Sequence, residues 1–236
     1  MIRPAIFNDR PGISAGFTTR GFAEIEEDVD VSRGRLAEQF GFSAVASTDQ
    51  VHGNNVVVVR SPGHVPACDG LVTDQPGLLL TVVSADCALV LLGDPEAGVV
   101  GACHSGWRGT VAGVTANAIN AMGGLGAQSH RIHAYVTPCI SAAAFEVGEE
   151  VAEHFDTDVV IRKPEWPKPH VDLKAGVFQQ LRAAGVVETN IEIDTACTAS
   201  DIECFYSYRA EGGATGRMIG FIGRHNTGPS AARGDI

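Results

Sequence analysis

Between Leu78 and Cys103 the chain is almost continuously apolar, with only short polar interruptions. Leu78 to Val83 and Ala88 to Leu92 are two β-type runs separated by Ser84-Ala85-Asp86-Cys87. Asp94 to Gly98 reads as a turn, and Val99 to Cys103 as another buried strand. Further strands are expected at Gly16 to Thr19, Asn55 to Arg60, Asp69 to Thr73, Ile132 to Val136, Ile191 to Asp194 and Met218 to Ile222. After Gly109 the period changes: Val111, Val114, Ala118 and Met122 lie about one helical turn apart, predicting a helix from Gly109 to Met122 that Gly123-Gly124 ends. A second helix is expected from Phe145 to Phe155, with Glu149, Glu150 and Glu153 on its wet side. Asp172 can cap a third, Lys174 to Ala184, terminated by Gly185. Leu36 to Phe40 belongs to an amphipathic segment. Runs of strands with a few intervening helices predict a mixed α/β layer fold.

There is no internal repeat or low-complexity segment. The richest Pro and Lys stretch, Arg162 to Pro169, is too short to separate two bodies, so residues 1–236 read as one domain with a substantial core. The formal net charge is −11 and no Lys/Arg run offsets it, which argues against general nucleic-acid binding. A local basic pocket for an anion remains compatible with that surface. Met1-Ile-Arg-Pro lacks the apolar core of a signal peptide, and Leu78 to Leu92, broken by Ser84 and Asp86, is too short to span a bilayer. The expectation is a soluble, cytoplasmic protein with no membrane partner. Six scattered cysteines without a C-x-x-C pair argue against a disulfide scaffold and a zinc finger.

Three segments carry candidate chemistry: Gln50-Val51-His52-Gly53, Ser84-Ala85-Asp86-Cys87, and Cys103-His104-Ser105-Gly106-Trp107-Arg108-Gly109. Each sits at the edge of an expected strand, where layered α/β folds place their sites. Two imidazoles and a thiolate, His52, His104 and Cys87, suit zinc and leave a fourth position for water or substrate. Cys87 and His104 also suit a nucleophile–base pair. Asp86 reads either as a partner for a histidine or as a residue that satisfies its own loop. The Gly106 to Gly109 turn reads either as an anion site at a helix start, reinforced by Arg108, or as an ordinary strand-to-helix connection. Arg20, Arg209 and Arg217 can clamp phosphate or carboxylate, with a surface salt bridge as the default for each. There is no G-x-S-x-G elbow, P-loop, dinucleotide fingerprint or nucleobase-deaminase P-C-x-x-C, and the absence of an H-x-H pair tells against a multicopper oxidase.

Taken together, Gln50-Val51-His52, Asp69-Gly70-Leu71-Val72-Thr73, Ser84-Ala85-Asp86-Cys87 and His104-Ser105-Gly106-Trp107-Arg108-Gly109 occur in an order and at spacings that resemble a known family. Pro138-Cys139-Ile140, Phe145-Glu146-Val147-Gly148, Asp172-Leu173, Cys197-Thr198, Phe205-Tyr206-Ser207-Tyr208-Arg209 and Thr215-Gly216-Arg217-Met218 extend the match from about Thr18 to Ile222. The chain resembles the polyphenol oxidase or laccase-domain family, now regarded as purine nucleoside phosphorylases. The resemblance implies a zinc site on His52, Cys87 and His104, which would also be the catalytic residues, with copper as the alternative metal. It implies phosphorolysis of adenosine, inosine, guanosine and methylthioadenosine, and deamination of adenosine at the same site. The partners it implies are therefore a purine nucleoside and phosphate, with Arg20 and Arg209 the best candidates to bind them. The implied fold is a mixed α/β sandwich flanked by helices, similar to the catalytic domain of cytotoxic necrotizing factor toxins.

This sequence departs from the family pattern at Thr137, where glycine is usual before Pro138, at Ser105, where alanine is usual, and at Ala210, where a second arginine is common. The region after Arg20 is short and lacks the usual Gly-Gly and Asn-Leu pattern. These changes bear on substrate preference and on Arg20 and Arg209; the ligand positions match. Three other readings use the same residues: a cysteine or zinc amidohydrolase acting on a cell-wall precursor or other amide, a non-enzymatic interaction protein that keeps zinc structurally, and a copper-dependent phenol oxidase.

Overall fold

The computed structural model describes residues 1–10, 12–22 and 28–226. Strand β1 (Ile13–Phe17) precedes helix α1 (Val29–Gln39), followed by β2 (Ala44–Thr48), β3 (Val56–Val58), β4 (Gly63–Val65) and β5 (Gly70–Thr73). The apolar middle of the chain forms β6 (Leu78–Ser84), β7 (Ala88–Asp94) and β8 (Val99–Ser105). Helices α2 (Trp107–Val111) and α3 (Val114–Gly123) lead to β9 (His133–Val136), α4 (Glu149–Ala152), β10 (Val160–Ile161) and β11 (His170–Val171). Helix α5 (Leu173–Ala183), β12 (Ile191–Ile193) and β13 (Met218–Arg224) complete the order.

Two mixed sheets result. One has the order β1-β13-β6-β2-β4 and the other β12-β9-β7-β8-β5-β3. Their inner faces pack on each other through Phe17, Leu80, Val82 and Ile222 from the first and Leu71, Leu89, Leu91 and Tyr135 from the second. The alternate residues of the same strands face outward. Leu79, Ile219 and Phe221 meet Leu36 and Phe40 at the C-terminal end of α1, while Val90, Leu92 and Val136 meet Ala118 and Met122 of α3 and Val177 and Leu181 of α5. The layers are therefore helix, sheet, sheet, helix. Central strands covered on both faces must be apolar at every position, which is why β6, β7 and β8 read as unbroken apolar runs. The mixed α/β expectation holds in this form. No helix among the described residues is long and apolar enough to cross a membrane.

Three expected elements are corrected. The first strand starts and ends earlier than Gly16 to Thr19, and Thr18 leaves it to exchange hydrogen bonds with Ile219 (2.9 Å to its carbonyl, 2.8 Å from its amide to Oγ1). The helix expected from Gly109 to Met122 is two helices, broken where Gly113 takes a left-handed φ of 81°; Val111 ends the first piece, 40% exposed. The helix expected from Phe145 to Phe155 is reduced to α4, because the segment before it is extended. Val147 N–H donates to Pro169 O and Val171 N–H to Phe145 O (3.0 and 3.2 Å), and Glu146 bridges His170. Strands β2, β4, β10 and β11 were not expected. The Asp172 cap is as anticipated, its carboxylate accepting from Ala175 N–H at 3.0 Å.

Candidate metal centre and its cavity

His52, Cys87 and His104 reach the same point from three places. His52 lies in the loop after β2, Cys87 in the connection between β6 and β7, and His104 near the end of β8. Their ligand atoms all lie within 4.8 Å of one another, and the His52 and His104 rings meet edge-on with centroids 4.8 Å apart. Tetrahedral zinc with bonds of about 2.0–2.3 Å separates its ligands by roughly 3.3–3.8 Å, so the trio is within reach of one ion. A Cβ at Gly106 would stand 3.0 Å from Cys87 Sγ, 3.3 Å from His52 Cδ2 and 3.4 Å from His104 Cε1. Glycine at that position keeps open the space the three donors surround. The donor set and that space fit a metal ion.

Asp69, fully buried just before β5, organises the two histidines. Its carboxylate accepts from the backbone N–H groups of Val51, His52 and Gly53 at 3.2, 2.9 and 2.7 Å. The same carboxylate takes the Nδ1 hydrogen of His104 at 2.9 Å. A carboxylate can only accept, so this bond fixes the tautomer and leaves His104 Nε2 as the donor atom. The three backbone bonds hold His52 at a left-handed φ of 61°, a conformation that a bulky residue adopts only when its surroundings impose it. Burial would raise the Asp69 pKa, but the His104 hydrogen bond and the Gly53 and Val51 amides bring it below its ordinary value. Gln50 anchors the same loop by pairing its amide with Val83, donating to the carbonyl at 2.7 Å and accepting from the N–H at 2.8 Å.

Without an ion, the donors form a charge-coupled set. Burial pushes the Cys87 thiol up, yet hydrogen bonds from His104 and His52 and their charge lower it to about 7. Burial disfavours protonated His104, but its bonds to Asp69 and Cys87 raise it to about 9. A thiolate beside an imidazolium is the state that both metal binding and nucleophilic chemistry draw on.

Asp86 resolves the alternative left open above. It contacts no histidine in the hydrogen-bond pattern and instead gathers loops. Its carboxylate accepts from Thr198 Oγ1 at 2.6 Å, Ser207 Oγ at 3.1 Å and the Arg209 N–H at 2.7 Å. Its carbonyl receives Ile140 N–H at 2.9 Å. The Gly106 turn begins α2, a single short helix, and Arg108 lies exposed on it with its guanidinium 4.2 Å over the Trp107 ring.

The trio lines a cavity of about 710 Å³. On one side the wall comes from α1, β2, β4 and the end of β6, including Arg33, Gln50, His64 and Val83. On the other it includes Trp107, Arg108, Phe145, Tyr208 and Arg209, with Arg217 also on the wall. The Arg209 guanidinium donates to the carbonyls of Ala144 and Glu146 at 3.1 and 3.0 Å. Arg217 donates to the carbonyls of Thr215 and Gly216, both at 2.9 Å. Arg20 is not among the residues lining the cavity. Its guanidinium donates to Glu211 at 2.7 Å and to Phe205 O at 3.1 Å, and lies 4.3 Å over the Tyr206 ring. Glu211 also accepts from Ser207 N–H and Thr215 Oγ1, so Arg20 and Glu211 tie down the loop that carries Tyr208 and Arg209.

Sequence reasoning missed Asp69 as the partner of both histidines, the space-keeping role of Gly106, and Arg33 altogether. The only local signal for Asp69 was an acid placed directly ahead of an apolar strand.

Residues 16–225 match the family model described as multi-copper polyphenol oxidoreductase laccase. The chain is 40% identical over 233 residues to a purine nucleoside phosphorylase of Deinococcus radiodurans, covering 93% of this chain and 88% of that one. It is also 40% identical over 202 residues to the purine nucleoside phosphorylase ORF3 of Streptomyces griseus, covering 82% and 80%. Among solved structures, it superposes on YlmD from Geobacillus stearothermophilus with a TM-score of 0.82 at 30% identity, covering 92% of this chain and 93% of that one. It superposes on YfiH from Bacillus licheniformis with a TM-score of 0.81 at 26% identity, covering 90% and 92%.

Proposed function

Starting from the fact that the chain belongs to the multi-copper polyphenol oxidoreductase laccase family, we propose that it is a zinc-dependent purine nucleoside phosphorylase acting in the cytoplasm, with residues 1–236 working as one unit. The observation that carries this reading is the convergence of His52, Cys87 and His104 on the wall of one cavity of about 710 Å³. That size suits a small molecule. Relatives named purine nucleoside phosphorylase at up to 40% identity support the substrate class.

His52, Cys87 and His104 are the proposed metal ligands, with Asp69 holding both histidines in place. When bound, zinc would supply a Lewis acid able to polarise an oxygen of water or substrate. In phosphorolysis an oxygen of phosphate bonds to C1′ of the ribose as the bond to the purine nitrogen breaks. The electron pair leaves with the base, which takes up a proton, and ribose 1-phosphate remains. Phe145, Trp107 and Tyr208 offer aromatic surface to a purine. Arg209 is the proposed contact for phosphate or the 5′ side of the ribose. Arg20, tied to Glu211 away from the lining, is proposed to serve the substrate by positioning the Arg209 loop. Deamination of adenosine is a second proposed activity of the same site, with water replacing the 6-amino group and ammonia leaving.

A single His/Cys/Asp/Glu group with ligand geometry exists among the described residues, whereas multicopper oxidation needs several copper sites in contact. A copper phenol oxidase therefore ranks last. The Cys87–His104 pair keeps amide hydrolysis as the competing reading. Incubating the pure protein with adenosine, inosine, guanosine and methylthioadenosine, with and without phosphate, separates them. The expected result is base release that depends on phosphate, accompanied by phosphate-independent formation of inosine from adenosine. Cleavage of an amide substrate with no turnover of any nucleoside would replace the proposal by the hydrolase. Metal analysis of protein purified without a His-tag is expected to find zinc, retained by the wild type and lost from Cys87→Ala.

A further inference from the structure

Arg33 is the most deeply buried charged side chain on the cavity wall that no part of the catalytic centre explains. It projects from the first turns of α1 and is only 5% exposed, yet it belongs to the lining together with Val29, Gln50, His64 and Val83. Its one hydrogen bond runs from Nη1 to Asp30 at 2.6 Å, and that aspartate side chain is 70% exposed. Its Nε is buried with no acceptor among the described residues. Nη2 also has no partner among the described residues and, unlike Nε, is not sealed from solvent.

Burying a guanidinium is costly unless an anion and hydrogen-bond acceptors meet it. A buried guanidinium on a cavity wall whose acceptor is an exposed carboxylate keeps N–H donors that a tetrahedral oxyanion would take up. The other cavity arginines differ. Arg209 and Arg217 are exposed and donate to backbone carbonyls, and Arg108 is exposed and stacked on Trp107. Asp49 also lines the cavity, but its side chain is exposed, where water and salt screen its charge.

We propose that Arg33 is the phosphate-binding residue of this cavity, holding inorganic phosphate through its Nη2 donors at the end formed by α1, β2 and β4, in competition with the exposed Asp30 carboxylate on Nη1. The proposal rests on the phosphorylase reading above and names the phosphate subsite that reading requires. Arg209 then serves the nucleoside.

Direct binding of inorganic phosphate to the full-length protein, measured by calorimetry, tests it on the wild type, Arg33→Gln, Asp30→Asn and Arg209→Gln, with steady-state kinetics alongside. Removing a buried, charge-assisted donor is expected to weaken phosphate binding by about tenfold or more in Arg33→Gln, with the KM for adenosine within about twofold of wild type. Asp30→Asn releases a competitor for the guanidinium and is expected to tighten phosphate binding. This exposed change keeps the test decisive even if Arg33→Gln does not fold. Unchanged phosphate affinity in Arg33→Gln, or weaker affinity in Asp30→Asn, overturns the assignment while leaving the phosphorylase reading intact. A loss confined to Arg209→Gln overturns it equally. Wild type that turns over adenosine without binding phosphate refutes the phosphorylase reading itself.

Discussion

The two sides of the cavity are held in place by different physics. The ligand side rests on sheet ends. Cys87 and His104 adjoin the paired strands β7 and β8, and a single buried carboxylate, Asp69, ties His104 to the His52 loop. The arginine side rests on loops. Arg209 and Arg217 are pinned by carbonyls, and their loop is fastened by the Arg20–Glu211 pair and by Asp86. A site whose chemistry needs fixed donor positions is built where strand pairing and burial leave few alternatives. A surface that must admit and release a small molecule is built from contacts that cost little to rearrange.

The sharpest way to break the ligand side is Cys87→Ala. Loss of a partner behind a ligand costs about 10–100-fold in metal affinity or activity, so loss of the ligand itself is expected to cost at least about 100-fold. The melting temperature measured on the metal-free protein should stay near that of metal-free wild type. A collapse of the metal-free fold would instead make the centre structural. Next comes Asp69→Asn. An amide keeps the shape but loses the charge that accepts from Val51, His52, Gly53 and His104. About 2–3 kcal/mol of stability should be lost, together with about 10–100-fold in metal affinity, as read from denaturation and metal titration.

The loop side should respond to acid. Glu211 is held at about 2, against burial, by the Ser207 amide, the Thr215 hydroxyl and Arg20. A lowered carboxylate pKa contributes stability that is full above the ordinary value near 4.5 and disappears as pH falls toward 2. The stability gap between wild type and Glu211→Gln should therefore be largest above pH 4.5 and close as pH approaches 2, measured by denaturant melts across that range. A gap that does not vary with pH would remove the ion pair from the account of the loop. The smallest effect is expected from Ser84→Ala. Its buried hydroxyl on the cavity wall has no partner among the described residues, so the change should leave stability within about 1 kcal/mol or raise it. A drop in melting temperature would show that the hydroxyl is satisfied by ordered water.

Legibility along the chain follows burial. β6, β7 and β8 appear in the sequence within two residues of their ends because both faces are covered. β2, Ala44–Thr48, carries little apolar contrast, and its pairing with β4 and β6 is what makes it a strand. Phe145 to Val147 has helical spacing but spends its backbone bonds on Pro169 to Val171, a partner more than twenty positions away. The three candidate ligands were legible as residue types at strand edges and through family motifs. The role of Asp69 was not, although the residue opens one of those motifs, because its partners lie 16–35 residues distant along the chain.

The sequence by itself determined the apolar strands, the mixed layer class and the identity of the three donors, since burial pattern and ligand chemistry are written in residue type. Only the tertiary structure decided that the donors meet, that Asp86 gathers loops while Asp69 orients histidines, and that Arg20 lies off the cavity while Arg33 lies on it. Hydrogen bonds and ion pairs act over a few ångströms of space, and which side chains come within that range depends on how the sheets stack rather than on how far apart residues stand along the chain.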